Sequence, residues 1–298
     1  MMKTRRKIVR YDKGDTRVAW LMLSPFLLFF ALFVLYPILM NIYYSFTNYN
    51  LDSADWVGLK NYRRLFRDKA FLMALKNTSI YAFFGVVALT VLGFATASVL
   101  NRKIRGIRFI RMLMIFPYAT SMTAVAMIWL MLLDPTAGLI NKILRMAGLT
   151  GVDWLFNVRT ALPCLIFVHI WKNIGYCMLI YLAGMQSIPE ELYEAATVDG
   201  ASEFNKLFHI TLPMVRPVSF FVLITTMLES FKTFDQVKLM TGGDPLYSTT
   251  TIVHQIYQRG FAEFRMGYAA AMSVVLLVIM LAITLMNYAL GKRGEKEA

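Results

Sequence analysis

The chain has 298 residues, 58% of them hydrophobic and only 16% charged, with a formal net charge of +13. A charged fraction so far below the ~25% of ordinary globular chains excludes an ordinary soluble domain. The basic surplus gives no case for nucleic acid as a partner, because it lies beside the ends of apolar runs, where membrane topology accounts for it.

In chain order, residues 1–17 form a basic tail carrying Lys3, Arg5, Arg6, Lys7, Arg10, Lys13 and Arg17, and residues 18–298 read as a single transmembrane domain. No charge occurs from Val18 to Leu51, Asn77 to Asn101, Met112 to Leu133 or Met266 to Gly291. Each run exceeds the ~20 residues that cross ~30 Å of hydrocarbon as a helix. The first is too long for a signal-peptide core and no A-x-A site follows it, so it is expected to stay as an anchor. Residues 56–78 predict an amphipathic surface helix with Leu59, Tyr62, Leu65 and Phe66 as its apolar stripe. Residues 132–154 predict a turn at Asp134-Pro135, a short amphipathic helix and a glycine-rich return. Thr160 to Ser187 is apolar apart from His169 and Lys172, whereas Pro217 to Met240 acquires Glu229, Lys232, Asp235 and Lys238. Flanked by clear spans, both read as transmembrane helices with a polar face. Gly242-Gly243 and Asp244-Pro245 make 240–249 a loop.

The expected fold is therefore an all-α membrane protein with six transmembrane helices, at about 18–46, 77–100, 109–133, 161–187, 213–238 and 266–290. Seventeen Lys and Arg fall in the two tails and the connections after spans two and four, against eleven in the other three loops. That bias predicts cytoplasmic N- and C-termini, although Lys60, Arg63, Arg64, Arg67, Lys69 and Lys76 oppose it. Cys164 and Cys177 lie about 20 Å apart along one helix and read as small buried apolar groups.

Chemistry-bearing motifs are scarce. No G-x-x-x-x-G-K-[ST] phosphate loop occurs, and His169, His209 and His254 have no metal-ligand spacing. No elbow serine or paired-carboxylate site is recognisable, so the expectation is a protein that is not an enzyme and that binds no cofactor or metal.

The passage EELYEAATVDGASEFNKLFHITLP, residues 190–213, stands apart. Glu190, Glu191, Glu194, Asp199 and Glu203 concentrate five of the chain's 18 acids there. Ser187 and Glu190 have capping-box spacing, which predicts a helix over about 188–198 ending at Gly200. A second helix is predicted from Ser202, and Pro213 is predicted to open the next span. Two readings of this helix–glycine–helix device remain open: an interfacial helix with a solvated acidic face, or a docking element whose small residues admit a partner and whose carboxylates suit its arginine.

Glu194-Ala195-Ala196, Asp199-Gly200-Ala201, Ile210 and Leu212-Pro213 resemble the EAA signature of ABC importer permeases. SPFLLFFALFVLYPILMNIYYSFTNY (24–49), VGLKNYRRLF (57–66), IYLAGMQSIPEELYEAATVDGAS (180–202) and the MTGGDP turn are similar to the carbohydrate-uptake branch, of maltose and glycerol-3-phosphate type. The large external insertion of the maltose-type subunit is absent. The resemblance implies a type I importer permease in the cytoplasmic (plasma or inner) membrane, partnered by a second homologous permease subunit, two cytoplasmic ATPases that use ATP and magnesium, an extracytoplasmic solute-binding protein and the bilayer. It also implies that Glu194 pairs with an ATPase arginine, that Ala195 and Ala196 allow close packing, and that Gly200 makes the bend of a coupling helix.

Charges inside spans mark protein-lined or water-filled faces. Lys172, Asn173 and Tyr176, together with Glu229, Lys232 and Asp235, are candidates for a substrate pathway, with a structural pair facing a partner subunit as the alternative. A secondary transporter or channel working without ATPases is the rival class. The coupling passage argues against it, as does the lack of a broken-helix Gly/Pro pattern in corresponding spans. A membrane scaffold or receptor subunit with no pathway is a further alternative.

Overall fold

The computed structural model describes residues 13–102 and 105–294; Lys3, Arg5, Arg6, Lys7, Arg10, Lys103 and Lys296 of the basic segments lie outside them. The first charge-free run forms α1 (Lys13–Phe30), which passes through a widened turn at Ala31–Leu35 into α2 (Tyr36–Ser45). Together they make one span over Thr16–Ser45, exposed along the whole first half, with α2 laid against the last helix.

The amphipathic helix expected over 56–78 is not one element. Only α3 (Lys60–Leu65) is helical before the chain breaks, and α4 (Lys69–Leu100) then runs as one 32-residue span. Asp68 decides the boundary: its side chain accepts from the Ala70 N–H at 2.9 Å, an N-cap that ends one helix and starts another. The expected apolar stripe does not bury as one face either: Leu65 is fully buried while Leu59 and Phe66 are 57% and 69% exposed.

The third span is also not a single helix. α5 (Ile107–Ala119) and α6 (Met122–Leu132) meet at 98°. Pro117 lacks an N–H, Thr120 is extended, and the Ser121 hydroxyl caps the new helix by accepting from the Ala124 N–H at 3.3 Å. This is a broken-helix span, so that part of the sequence argument against a secondary transporter falls away. The Asp134-Pro135 turn and α7 (Leu139–Met146) follow as expected. Asp134 accepts from the Ala137 and Thr136 N–H groups, which hold its carboxyl below the usual aspartate range.

α8 (Ala161–Gln186) is an unbroken span despite its internal Lys172. The connecting passage forms α9 (Glu190–Val198), α10 (Glu203–Lys206), a widened turn at Leu207–Thr211 and α11 (Leu212–Met214). Pro213 closes this passage rather than opening the fifth span, which begins after a 65° bend as α12 (Arg216–Phe231), with Pro217 in its first turn. α12 ends seven residues earlier than the expected 238, and Asp235 opens the separate α13 (Asp235–Met240). α14 (Ile252–Tyr257), a widened turn at Gln258–Ala262 and α15 (Met266–Gly294) complete the chain.

Among the described residues four helices are long and apolar enough to cross a membrane, and the number rises to six when each of the two bent pairs is counted as one span. The core lies where α4 packs along α8, with α5 and α12 on either side. Small residues permit this approach. A methyl on Gly93 would stand 2.8 Å from Cys177 Cβ, and one on Gly175 would collide with the Met114 carbonyl. Cys164 and Cys177 are free thiols within this packing.

Candidate functional site: the 188–213 passage and the polar faces of the spans

Residues 188–213 join the end of α8 to the start of α12, so any movement of this passage bears directly on two spans. Its capping differs from expectation. The Ser187 hydroxyl donates back to the Gly184 carbonyl at 2.7 Å, at the C-terminus of α8, and Pro189 precedes α9 in place of the capping box. The glycine bend is as expected. Gly200 has φ +75°, the Ala201 N–H donates to the Ala196 carbonyl at 2.9 Å, and the Gly200 N–H donates to Thr197 at 3.1 Å. These are the paired closing bonds of a left-handed helix terminus. Ser202 then caps α10, accepting from the Asn205 N–H at 3.2 Å.

Glu194, Ala195, Asp199, Gly200 and Leu212 are exposed, whereas Ala196, Ala201, Ile210 and Pro213 are half-buried. Val198 and Phe204 extend into the surroundings, 89% and 68% exposed. The hydrogen-bonded Lys206 ammonium, 2.8 Å away, holds the Glu203 carboxyl below its usual range. Beneath this outer face the passage is anchored. Ile188, Tyr193 and Ile210 pack into the cluster of Leu182, Met185 and Val215, and the Tyr193 and Thr211 hydroxyls meet at 2.9 Å. Tyr193 and Thr211 were not singled out by sequence, since a lone Tyr beside a Glu-Ala-Ala run carries no signal of an 18-residue crossing.

The candidate pathway residues separate into two groups. The Lys172 ammonium donates to the carbonyls of Thr120 at 2.7 Å, Tyr118 at 3.0 Å and Pro117 at 3.1 Å, and lies over the Tyr118 ring. It thus satisfies the carbonyls freed where the third span bends. Asn173 bonds to His169 one turn earlier, and Tyr176 stacks on Tyr118 with centroids 4.6 Å apart. Glu229 and Lys232 pair at 3.2 Å, with both side chains largely exposed, and Asp235 is exposed on α13. The chain therefore brings Lys172 and Tyr176 together on Tyr118, and separates Asp235 from the Glu229–Lys232 pair by a helix break.

A second polar region, unmarked in the sequence beyond its turn dipeptides, lies at the opposite ends of α8 and α12 from the 188–213 passage. Tyr81 donates to Gln236 at 3.0 Å, Gln236 donates to the Leu165 carbonyl, and Thr251 donates to the Thr233 carbonyl at 3.0 Å. Asn77 donates to the carbonyls of Tyr247 at 2.8 Å and Thr250 at 3.1 Å. These bonds fix the 241–251 loop to the core. Polar residues scattered over 170 positions find one another only in the fold.

The chain matches the family described as "binding-protein-dependent transport system inner membrane component" over residues 89–296. It is 35% identical over 286 residues to the probable ABC transporter permease protein YurN of Bacillus subtilis (strain 168), covering 94% of this chain and 98% of that one. It is 33% identical over 279 residues to the sn-glycerol-3-phosphate transport system permease protein UgpA of Yersinia pestis, covering 92% and 94%. Its fold matches a chain of a bacterial alginate ABC transporter, solved with an alginate pentasaccharide-bound periplasmic protein, at TM-score 0.85 and 26% identity over 94% and 96% of the two chains. The chain belongs to the binding-protein-dependent ABC importer permeases: it is a multi-pass membrane permease subunit with the type I importer fold.

Proposed function

We propose that this permease subunit imports a sugar, an oligosaccharide or a glycerol-phosphate-like solute, and that residues 190–213 are where cytoplasmic ATPase subunits engage it. The chain would work with a second homologous permease subunit, two ATPases that use ATP and magnesium, and an extracytoplasmic solute-binding protein, with both of its termini cytoplasmic. The observation that carries this reading is the two-sided build of the passage. Its outer face offers Glu194, Ala195, Val198 and Phe204 to a partner, while its inner face packs into one apolar cluster with Leu182 and Met185 of α8 and Val222 of α12.

In this mechanism Glu194 supplies a carboxylate to a partner arginine, Ala195 and Ala196 let the partner backbone approach, and Gly200 with Asp199 and Ala201 forms the bend. Ile210, Leu212 and Pro213 join the passage to the fifth span. ATP-driven closure of the ATPases then moves α9, and the Tyr193–Thr211 bond carries that movement to the turn that leads through α11 into α12. The exposed Glu229–Lys232 pair lies on a polar face of the fifth span suited to a partner subunit or a solute path.

Reconstitution of the full importer in liposomes tests this reading. Solute uptake should require ATP and should disappear in Glu194→Arg, while detergent-stable folding of this chain persists. Uptake that proceeds without ATPase subunits would overturn it.

A further inference from the structure

An open cleft of about 370 Å³ lies at the end of α8 remote from residues 190–213. Trp129 and Leu133 at the end of α6, Ile140 of α7, Trp154 and Phe167 form most of its wall. We propose that this cleft holds one acyl chain of a membrane phospholipid, whose phosphate is bound by Arg159 at the mouth. The site is independent of the solute carried, and on the topology proposed above it takes a lipid of the outer leaflet.

The cleft runs along a membrane span. Thr160, Pro163, Cys164 and Phe167 line it at i, i+3, i+4 and i+7, one face of the start of α8. That face covers about 10 Å of helix, so the cleft descends beside the span from its mouth towards hydrocarbon. Its other walls are held in place. Asn141 is buried, donates to the carbonyls of Pro135 and Val152 at 3.0 Å each, and accepts from Trp154 Nε1 at 3.0 Å. Trp129 stands edge-on to Phe167, with ring centroids 5.3 Å apart. The space is thus preformed, and its volume is that of a ligand pocket.

The wall is almost entirely apolar, and its small polar side chains are already engaged. The Thr160 hydroxyl donates to the Trp154 carbonyl at 2.7 Å, and the Cys164 thiol lies 3.8 Å from the same oxygen. A sugar would lose its hydration there without gaining hydrogen bonds, whereas an acyl chain has none to lose. The surroundings of the cleft face the same medium. Leu139, Ile143 and Met146, at i, i+4 and i+7 on α7, are all exposed, as are Leu149 and Phe156. The buried Asn141 is on the opposite face of α7. A helix that turns its polar face inward and its apolar stripe outward beside a span is one that lies in the membrane interface.

Arg159 supplies the headgroup contact. With almost no polar surface in the wall, its aliphatic stem lines the cleft and its guanidinium lies beyond the mouth. The Arg159 backbone N–H donates to Asn157 Oδ1 at 2.8 Å. Its guanidinium has no hydrogen bond or ion pair among the described residues, Asp153 included. Arg159 stands two residues before α8, at the level where a span passes from hydrocarbon to headgroups. A planar guanidinium matches the paired oxygens of a phosphodiester. An unpaired cation above an apolar slot complements an amphiphile with one anionic head and a long tail.

The test places the full-length chain in phosphatidylethanolamine nanodiscs that contain a phosphatidylglycerol with a diazirine at the end of one acyl chain. The same photoreactive chain on a diacylglycerol is the comparison without phosphate. On illumination the phospholipid probe should label the peptides carrying Trp129, Ile140 and Phe167 more heavily than the peptide carrying Phe26 and Phe29, which are exposed on the first span. That labelling should fall about 3- to 10-fold in Arg159→Ala, the loss of one charge-assisted contact at an exposed rim, with the first span unaffected. Pro163→Trp, which fills the cleft, should lower it by at least as much. Arg159 is exposed and bonds through its backbone alone, so Arg159→Ala keeps the test decisive if Pro163→Trp does not fold. Labelling no heavier than that of the first span, equal labelling in Arg159→Ala, or equal labelling by the diacylglycerol would each overturn the site. Two further outcomes would assign the cleft to another occupant and overturn it as well. Labelling lost on assembly with the partner permease would give it to a subunit contact, and a raised KM for uptake in Pro163→Trp would give it to the solute.

Discussion

The Lys172 ammonium donates to the Thr120 carbonyl at 2.7 Å, tying the middle of α8 to the corner where α5 turns into α6. A cation at the C-terminus of a helix is favourable, and here it takes up the Tyr118 and Thr120 carbonyls at the bend and shares the Pro117 carbonyl with the Thr120 N–H. The ammonium is thereby bound into the architecture of the bend.

Lys172→Met should cost about 0.5–1.5 kcal/mol, the net value of hydrogen bonds lost at part-buried acceptors. Thermal unfolding of the purified subunit should show it as a lower midpoint, with the KM for solute unchanged. A raised KM with an unchanged unfolding midpoint would instead return Lys172 to the substrate path.

Gly200 holds φ +75°, and a Cβ added there would meet nothing within 4 Å. Gly200→Ala should therefore cost only about 1 kcal/mol, from the left-handed backbone alone. Gly200→Val adds β-branching at the same φ and should abolish ATP-coupled uptake with the spans still folded. Uptake and ATPase assays on reconstituted complexes, beside circular dichroism, distinguish uncoupling from unfolding.

The Tyr193–Thr211 bond should carry force across the passage without contributing much stability. Tyr193→Phe should lose about 0.5–1.5 kcal/mol locally, the net value of one hydrogen bond. The ratio of solute moved to ATP hydrolysed should fall in this variant, and an unchanged ratio would show that packing of the ring is sufficient.

Two glycines on the α8 contacts should differ in severity. Gly175→Ala places a methyl against the Met114 backbone, which cannot move aside, and should cost about 3 kcal/mol or more. Gly93→Ala meets the Cys177 side chain at 2.8 Å, and the double substitution Gly93→Ala with Cys177→Gly should restore expression lost in the single one. Membrane yield of folded protein is the readout.

His254 lies in the connection between the last two spans, and burial, aided by Lys238 and opposed by Asp244, lowers its pKa from 6.5. The unfolded chain then binds the proton more readily than the folded one. Stabilisation is full above the unfolded value of about 6.5 and is lost as pH falls below it towards the folded value. Unfolding midpoints at pH 7.5 and 5.5 should diverge more in the native chain than in His254→Asn.

The sequence by itself determined the properties that a single window of residues carries. Charge-free runs located the spans, since the cost of burying a charge in hydrocarbon acts residue by residue. Glu194-Ala195-Ala196 with Gly200 located the passage and its bend, since a left-handed terminus is a local matter of one missing Cβ. The tertiary structure decided whatever needed two distant segments. The bend of the third span involves Lys172, 52 residues beyond Thr120, and no hydropathy window contains both. The 56–78 pattern yielded to Asp68, whose cap outweighs amphipathic spacing once Leu65 is drawn into the core. Asn77, on the second span, holds the 241–251 loop by two of its backbone carbonyls. A backbone acceptor has no residue identity to read, which is why the Gly200 bend was legible in advance and the anchoring of the 241–251 loop was not.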